Sequence, residues 1–207
     1  MSITQATITK ATMQAGIERL ALAMERDFEM LNTIDGALGD GDLGVTMTRG
    51  MRLVAQASDQ LPEDLGMALL ACAQAFTKSS GSSYGTLLAT GLMAMARDVK
   101  GQTSIDISQI SPLLALALDA MMKRGKAEIG GKTVLDSLDA LIRATKDIND
   151  PDELATAAIN SLQQALDDMR DKPATIGRAR IFAQKSIGMD DPGMVAMQQI
   201  ITALANR

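Results

Sequence analysis

The chain predicts an all-α fold, a barrel or bundle of about eight antiparallel helices in sequential up-and-down order. Three observations carry this. Of 207 residues, 46% are hydrophobic but only 2% aromatic, so the core must be built from Ala, Leu, Ile and 15 Met, side chains that suit closely packed helices. Runs of β-branched residues are scarce, which leaves strands little to build on. Apolar residues recur at helical spacing in segments joined by mostly short polar connections, the pattern of antiparallel helical neighbours. No linker, repeat or shift in composition divides the chain, so one domain is expected over residues 1–207.

The elements follow in order. Thr9 to Leu38 reads as one long helix, and Gly39 is the natural stop because glycine tolerates a left-handed cap. A second helix starts near Leu43, runs over Val45 to Ala57 and ends before Pro62. Asp64 to Phe76 has apolar residues at 65, 68, 69, 72 and 76, which is helical spacing. A polar break over Lys78 to Ser83 precedes a helix from Thr86 to Val99. Ser111-Pro112 reads as an N-cap followed by Pro at the first helical position, with the helix running to about Lys123. A glycine-rich break, Gly125 to Gly131, precedes a helix over Thr133 to Ala144. Asp150-Pro151 and Asp191-Pro192 open two more helices by the same cap logic, and Gly177 to Ile187 reads as a short one between them.

Alternate connections, 39–44, 78–83, 125–133 and 177–193, are rich in Gly, Ser, Asp and Arg, while those between them are plainer. In an up-and-down bundle alternate connections fall on the same end, so the chemically rich ones should share one end and form one site.

Composition excludes several functions. The net charge is −5 and the pI about 4.8. With no basic stripe, no Trp, one Tyr and three Phe, the chain has almost no platform for nucleic acid. No apolar run reaches membrane-spanning length. The polar stretch Met1 to Ala15 lacks a signal-peptide core, so a cytoplasmic protein without a membrane partner is expected. The single cysteine, Cys72, sits in an apolar run and reads as core. There is no histidine, which rules out histidine bases and phosphohistidine within the chain and leaves carboxylates, amides, hydroxyls, cations or a bound metal to do chemistry.

The segment Asp35-Gly-Ala-Leu-Gly-Asp40-Gly-Asp42-Leu-Gly44 is the richest in such groups. Three carboxylates lie within eight residues, with no Lys or Arg nearby until Arg49. Crowded carboxylates repel unless a cation sits between them, and a hard divalent ion takes oxygen ligands while leaving positions for water and phosphate. Residues five apart on an unbroken helix diverge by about 140°, so Asp35 and Asp40 can share an ion only if the helix ends between them. Gly41 allows the tight turn that brings Asp40 and Asp42 together. Gly-Asp-Gly-Asp is also ordinary turn composition. A calcium EF-hand fits poorly: twelve-residue loops counted from Asp35 or Asp40 end on Thr46 or Met51, not on Glu.

Three further groups suit an anion. Ser79-Ser80-Gly81-Ser82-Ser83 lies between two helices, where small residues let amides and hydroxyls approach a phosphate; it also reads as a plain flexible loop. Gly131-Lys132-Thr133 resembles the end of a P-loop but has glycine at the wrong spacing, and a turn with Thr133 as N-cap accounts for it. Arg178 follows Gly177 at a helix start; it suits forked contact with phosphate or, equally, a surface ion pair.

Together these residues form an ordered set: Leu31-Asn32-x-x-Asp35, Gly39-Asp40-Gly41-Asp42-x-Gly44, Ser80-Gly81-x-x-Tyr84-Gly85-Thr86, Lys132-Thr133-x-x-Asp136, Gly177-Arg178-Ala179 and Ser186-Ile187-Gly188-x-x-Asp191-Pro192-Gly193. The set resembles the nucleotide-binding L subunit, or L domain, of dihydroxyacetone kinases, over about Ile17 to Ala205. The resemblance implies a barrel of eight antiparallel helices with ADP or ATP and two Mg²⁺ at one end. It implies Asp35, Asp40 and Asp42 as metal ligands, and Leu43, Gly44, Val45 and Thr46 as the start of the helix facing the phosphates. Ser79, Ser80 and Gly81 match the phosphate loop. Gly125, Thr133 and Val134 fall where the nucleotide pocket is shaped, and Arg178 with Asp191, Pro192 and Gly193 matches its far wall. Departures from the common pattern are Leu43, Thr77-Lys78, Gly131 and Met189.

The resemblance also implies the reaction: a phosphoryl group passes from the nucleotide to a small ketose, dihydroxyacetone or a relative such as erythrulose. The ketose is held on a separate K subunit by a histidine that this chain lacks. Two donor schemes fit, resident ADP recharged by a phosphotransferase-system protein or exchanging ATP, and the first is preferred. A non-catalytic regulator that binds a transcription factor is the alternative. Assembly stays open between a homodimer and a heterotetramer with K.

Overall fold

The structure, a computed structural model, describes residues 6–78 and 81–206 in full and Ser79 by its backbone. Among the described residues there are nine α-helices: α1 Lys10–Arg26, α2 Phe28–Leu38, α3 Leu43–Ala57, α4 Leu65–Ser79, α5 Ser83–Asp98, α6 Ile110–Gly125, α7 Val134–Thr145, α8 Pro151–Arg170 and α9 Pro192–Ala205. They make the expected all-α barrel. Each helix from α3 onward packs on the next, α1 packs on α3, and α9 returns to α1, which closes the ring. At the closure Arg19 Nε donates to the Ala203 carbonyl at 3.2 Å and Leu204 packs over Gly16.

The expected first helix is two helices, α1 and α2, meeting at Asp27. Asp27 has φ −92° and ψ 3°, the sparsely populated bridge region. Helical hydrogen bonding runs through the bend, from Asp27 N–H to Ala23 O and from Leu31 N–H to Asp27 O. The exposed Arg26 guanidinium forks onto the buried Asp27 carboxylate at 2.7 and 2.8 Å. With α1 and α2 counted as one bent rod, the barrel has eight staves.

Helix starts follow their caps. Asp150 and Asp191 accept amide hydrogen bonds from the first turns of α8 and α9, each followed by Pro. Thr133 and Asp136 form a capping box for α7. Two expectations are corrected. Gly39 is not a left-handed cap: its backbone is extended at φ −151°, and Gly41, at φ +75°, makes the left-handed turn. Ser111 is not the N-cap of α6. That helix starts at Ile110 after a 3-10 turn, 107–109, capped by Asp106, and Ser111 Oγ donates to the Ile142 carbonyl. Pro112 still sits in the first turn, where its missing N–H costs nothing.

Two short strands also form, β1 Thr7–Thr9 and β2 Ser104–Asp106, paired antiparallel at the end away from the acidic turn. The segment read as a short helix over 177–187 is a 3-10 helix, 178–186, packed against the end of α2. The interior is Met, Leu and Ala, with Met24, Leu31, Met47, Leu162 and Met194 almost wholly buried. Among the described residues no helix is long and apolar enough to cross a membrane.

Candidate functional site

The acidic turn lies between α2 and α3. Asp35 projects from the last turn of α2, and Asp40 and Asp42 from the connection that Gly41 folds back. One carboxylate oxygen from each of the three lies within 4.8 Å of the others. The break between Asp35 and Asp40 inferred from helical geometry is therefore present.

The tightness of this turn has a local cause. Asp35 Oδ2 accepts the amides of Asp42 at 2.9 Å and Leu43 at 3.3 Å, and Asn32 Oδ1 accepts Val45 N–H at 3.2 Å. Two side chains of α2 thus satisfy the orphan amides at the start of α3. Gly44 lets the helices meet this closely, since a Cβ there would overlap the Phe28 carbonyl oxygen and crowd Asn32 Oδ1. A Cβ on Gly39 would likewise strike Asp35. The Asn32–Gly44 pairing went unread in the sequence, although Asn32 belongs to the motif that flags Asp35.

Partial burial holds the Asp35 carboxyl above the usual carboxylate range, and the charges of Asp40 and Asp42 add to this. The amides of Asp42 and Leu43 pull the other way. Three acids in one turn favour a cation between them. Among the described residues, the protein cation paired with them is Arg178, whose Nη1 reaches Asp40 Oδ2 from 138 residues away. Both partners are about half exposed, so the pair itself contributes little to stability.

The connections at 125–133 and 177–193 share this end. Lys185 Nζ donates to the Ala37 carbonyl, and Thr175 N–H to the Gly131 carbonyl at 3.2 Å. Gly125 is the last residue of α6 and Thr133 the N-cap of α7. Leu43, Thr46 and Val134 are buried, so their side chains serve the core. Val45 lines a groove of about 450 Å³ on the outer wall with Phe28, Glu29, Thr48 and Arg49. What this stretch can offer a ligand is therefore backbone at the start of α3, not side chains. Ser79 ends α4, and its side chain and all of Ser80 lie outside the described residues. Gly81 stands in open space.

Asp191 caps α9 through the Met194 amide at 2.9 Å. Burial pushes its carboxyl up to about 7, and the Asp136 charge adds to this against the Met194 and Gly193 amides and Lys132. Pro192 is buried at the first position of α9, and Gly193 passes close to Asp191 and to the Tyr84 ring. The Tyr84 hydroxyl is buried with no hydrogen-bond partner among the described residues, and burial raises its pKa. Its role had no signal beyond its place in the Ser80-Gly81-x-x-Tyr84 motif.

Comparison with known proteins gives a consistent picture. Residues 37–206 match the family described as the DAK2 domain. The chain is 28% identical over 182 residues to the ADP-binding subunit of PEP-dependent dihydroxyacetone kinase 1 of Listeria innocua, covering 87% of this chain and 88% of that one. It is 31% identical to human triokinase/FMN cyclase, over 90% of this chain but 34% of that protein. The L-erythrulose 1-kinase of Mycolicibacterium smegmatis is 30% identical over 84% of this chain and 31% of its own length. The chain thus spans about a third of these larger kinases. Among solved structures, dihydroxyacetone kinase from C. freundii, in complex with AMP-PNP and Mg²⁺, superposes with a TM-score of 0.76 at 22% identity, covering 99% of this chain and 35% of that one. At that identity the likeness is one of fold.

Proposed function

Because the chain belongs to the DAK2 domain family, we propose that it is, as one unit over its whole length, the nucleotide-binding and phosphoryl-donating subunit of a small-ketose kinase. The observation that carries this is the convergence of Asp35, Asp40 and Asp42, with one oxygen of each within 4.8 Å of the others. All the donors are oxygen, and hard divalent ions take oxygen ligands. Asp35, Asp40 and Asp42 would hold two Mg²⁺. When bound, such ions would supply positive charge to neutralise the charge that builds on the phosphoryl group during transfer.

The chain's own residues do the rest. Arg178, beside Asp40, offers a planar fork to phosphoryl oxygens. The connection at Ser79, Ser80 and Gly81 lends amides and hydroxyls at the start of α5, where the helix end favours an anion. Gly125, Thr133 and Val134, with Asp191, Pro192 and Gly193, shape the nucleotide pocket. This is catalysis by positioning and electrostatics. With no histidine, the chain cannot hold a ketose through one. The ketose, dihydroxyacetone or erythrulose, belongs on a K subunit that docks at this end, in the cytoplasm. ADP is the resident cofactor, recharged by a phosphotransferase-system protein, and the extended match to an ADP-binding subunit of a PEP-dependent kinase supports this.

Calorimetry with Mg²⁺ADP tests the site. Wild type binds; Asp40→Asn and Asp42→Asn lose Mg²⁺-dependent binding while keeping the helical circular-dichroism spectrum. Normal binding by both variants rejects the ligand assignment. Mass analysis of the small molecule released on denaturing gel-filtered protein tests the donor: retained ADP supports a resident cofactor, and its absence supports exchanging ATP.

A further inference from the structure

Lys132 is one of the largest fully buried side chains, 1% exposed, on the turn before the Thr133 N-cap. Its Nζ donates to three carbonyls: Arg170 at 2.9 Å, Lys172 at 2.8 Å and Ser186 at 2.7 Å. An ammonium has three protons, and all three are used. The acceptors are the last residue of α8, the turn after it, and the last residue of the 178–186 helix. Its own backbone sits at φ +59°, a conformation that a non-glycine residue adopts at a cost.

Other bonds gather around the same point. Gly188 N–H donates to the Arg170 carbonyl at 2.8 Å, and Ala174 N–H to Ser186 Oγ at 2.8 Å. Arg170 forks onto Asp190 at 2.9 and 3.1 Å. The charges of Asp191, Asp190 and Asp171 favour the ammonium against the burial that disfavours it. Three carbonyls from two segments, 170–172 and Ser186, around one positive nitrogen are the coordination a protein gives a monovalent cation. Here the cation is part of the chain.

We propose that Lys132 is a built-in cation: its ammonium occupies a carbonyl cage that ties the 130–133, 170–172 and 186–188 turns together and so holds Arg178 against the acidic turn. It is a positioning residue, acting through the segment that carries Arg178. Its bearing on phosphoryl transfer rests on the function proposed above, whereas the cage itself does not.

The test is chemical rescue of Lys132→Ala, which opens the cage to a small amine. Hydrogen exchange is read in nucleotide-free protein and Mg²⁺ADP affinity by calorimetry, with no amine, with ethylammonium and with tetramethylammonium, which has no N–H. Expected without amine are lost protection at Ala174, Thr175 and Gly188, unchanged protection in α4, and nucleotide affinity about 10–100-fold weaker, the usual cost of losing an outer-shell support. Ethylammonium restores both, and tetramethylammonium restores neither. Should Lys132→Ala fold only with ethylammonium present, the proposal stands; equal failure to fold in both amines overturns it. Lys132→Met, near in shape but uncharged, overturns it if it keeps wild-type protection. Wild-type protein that binds no Mg²⁺ADP rejects the proposed function and leaves the exchange result to decide the cage.

Discussion

At the scale of single residues, Asp191 combines burial with a carboxyl pushed up to about 7. The unfolded chain ionises this group near pH 4. Between about pH 4 and 7 the folded protein therefore holds a proton that the unfolded chain has released, and stability falls as pH rises through that window, then levels off. Asp191→Asn removes the charge and keeps a side chain that caps well. The variant should gain on wild type by about 2 kcal/mol between pH 5 and pH 8, read from urea midpoints at both pH values; parallel curves would refute the assignment. Residues differ in how much of their role was legible. Asp35, Asp40 and Asp42 stood out because acids without counter-charges are conspicuous. Lys132 was visible only as part of a Gly-Lys-Thr turn, and its role depends on the distant carbonyls of Arg170, Lys172 and Ser186. Arg178 was visible as a candidate, but its partner Asp40 lies 138 residues earlier.

Elements depend on how they begin and cross. The caps at Asp150-Pro151 and Asp191-Pro192 were legible because the whole signal lies in adjacent residues. The bend at Asp27 carries no Pro or Gly to announce it, and Asp106 outcompeted Ser111 as the start of the α6 region because the preceding 3-10 turn already sets the chain direction. Strands β1 and β2 are three residues each, too short for any alternation to show. The α2–α3 crossing gives a sharper test than either cap. Gly44→Ala would drive a methyl into the Phe28 carbonyl oxygen, so it should cost about 1–3 kcal/mol, as overpacking does. Because α3 begins beside Asp42, the same change should also weaken Mg²⁺ADP binding. Asp150→Ala removes the cap of α8, on the side away from the acidic turn, and should cost about 1 kcal/mol with nucleotide binding kept. Thermal melts and calorimetry on both variants read this; equal effects on binding would disconnect the crossing from the site.

For the molecule as a whole, the architecture was legible from composition and loop rhythm: few aromatics, much Ala and Met, and rich connections on alternate turns. Of those connections, 39–44, 125–133 and 177–193 share one end, as Lys185 on Ala37, Thr175 on Gly131 and Arg178 on Asp40 attest. What no local pattern announced is the contact of α9 with α1, in which Leu204 covers Gly16 and Arg19 reaches Ala203. A ring sealed in this way has no privileged seam. Residue 6 lies within about 22 Å of Gly16, counting four extended steps and six helical rises, and Leu204, two residues before 206, covers Gly16, so about twelve glycine-serine residues span from 206 back to 6. A circular permutant that joins those ends and opens at 146–150, on the side away from the acidic turn, should fold and bind Mg²⁺ADP as the parent does, as calorimetry would report. The order in which the staves are threaded would then be a matter of ancestry, while the circle they complete is what the chemistry needs.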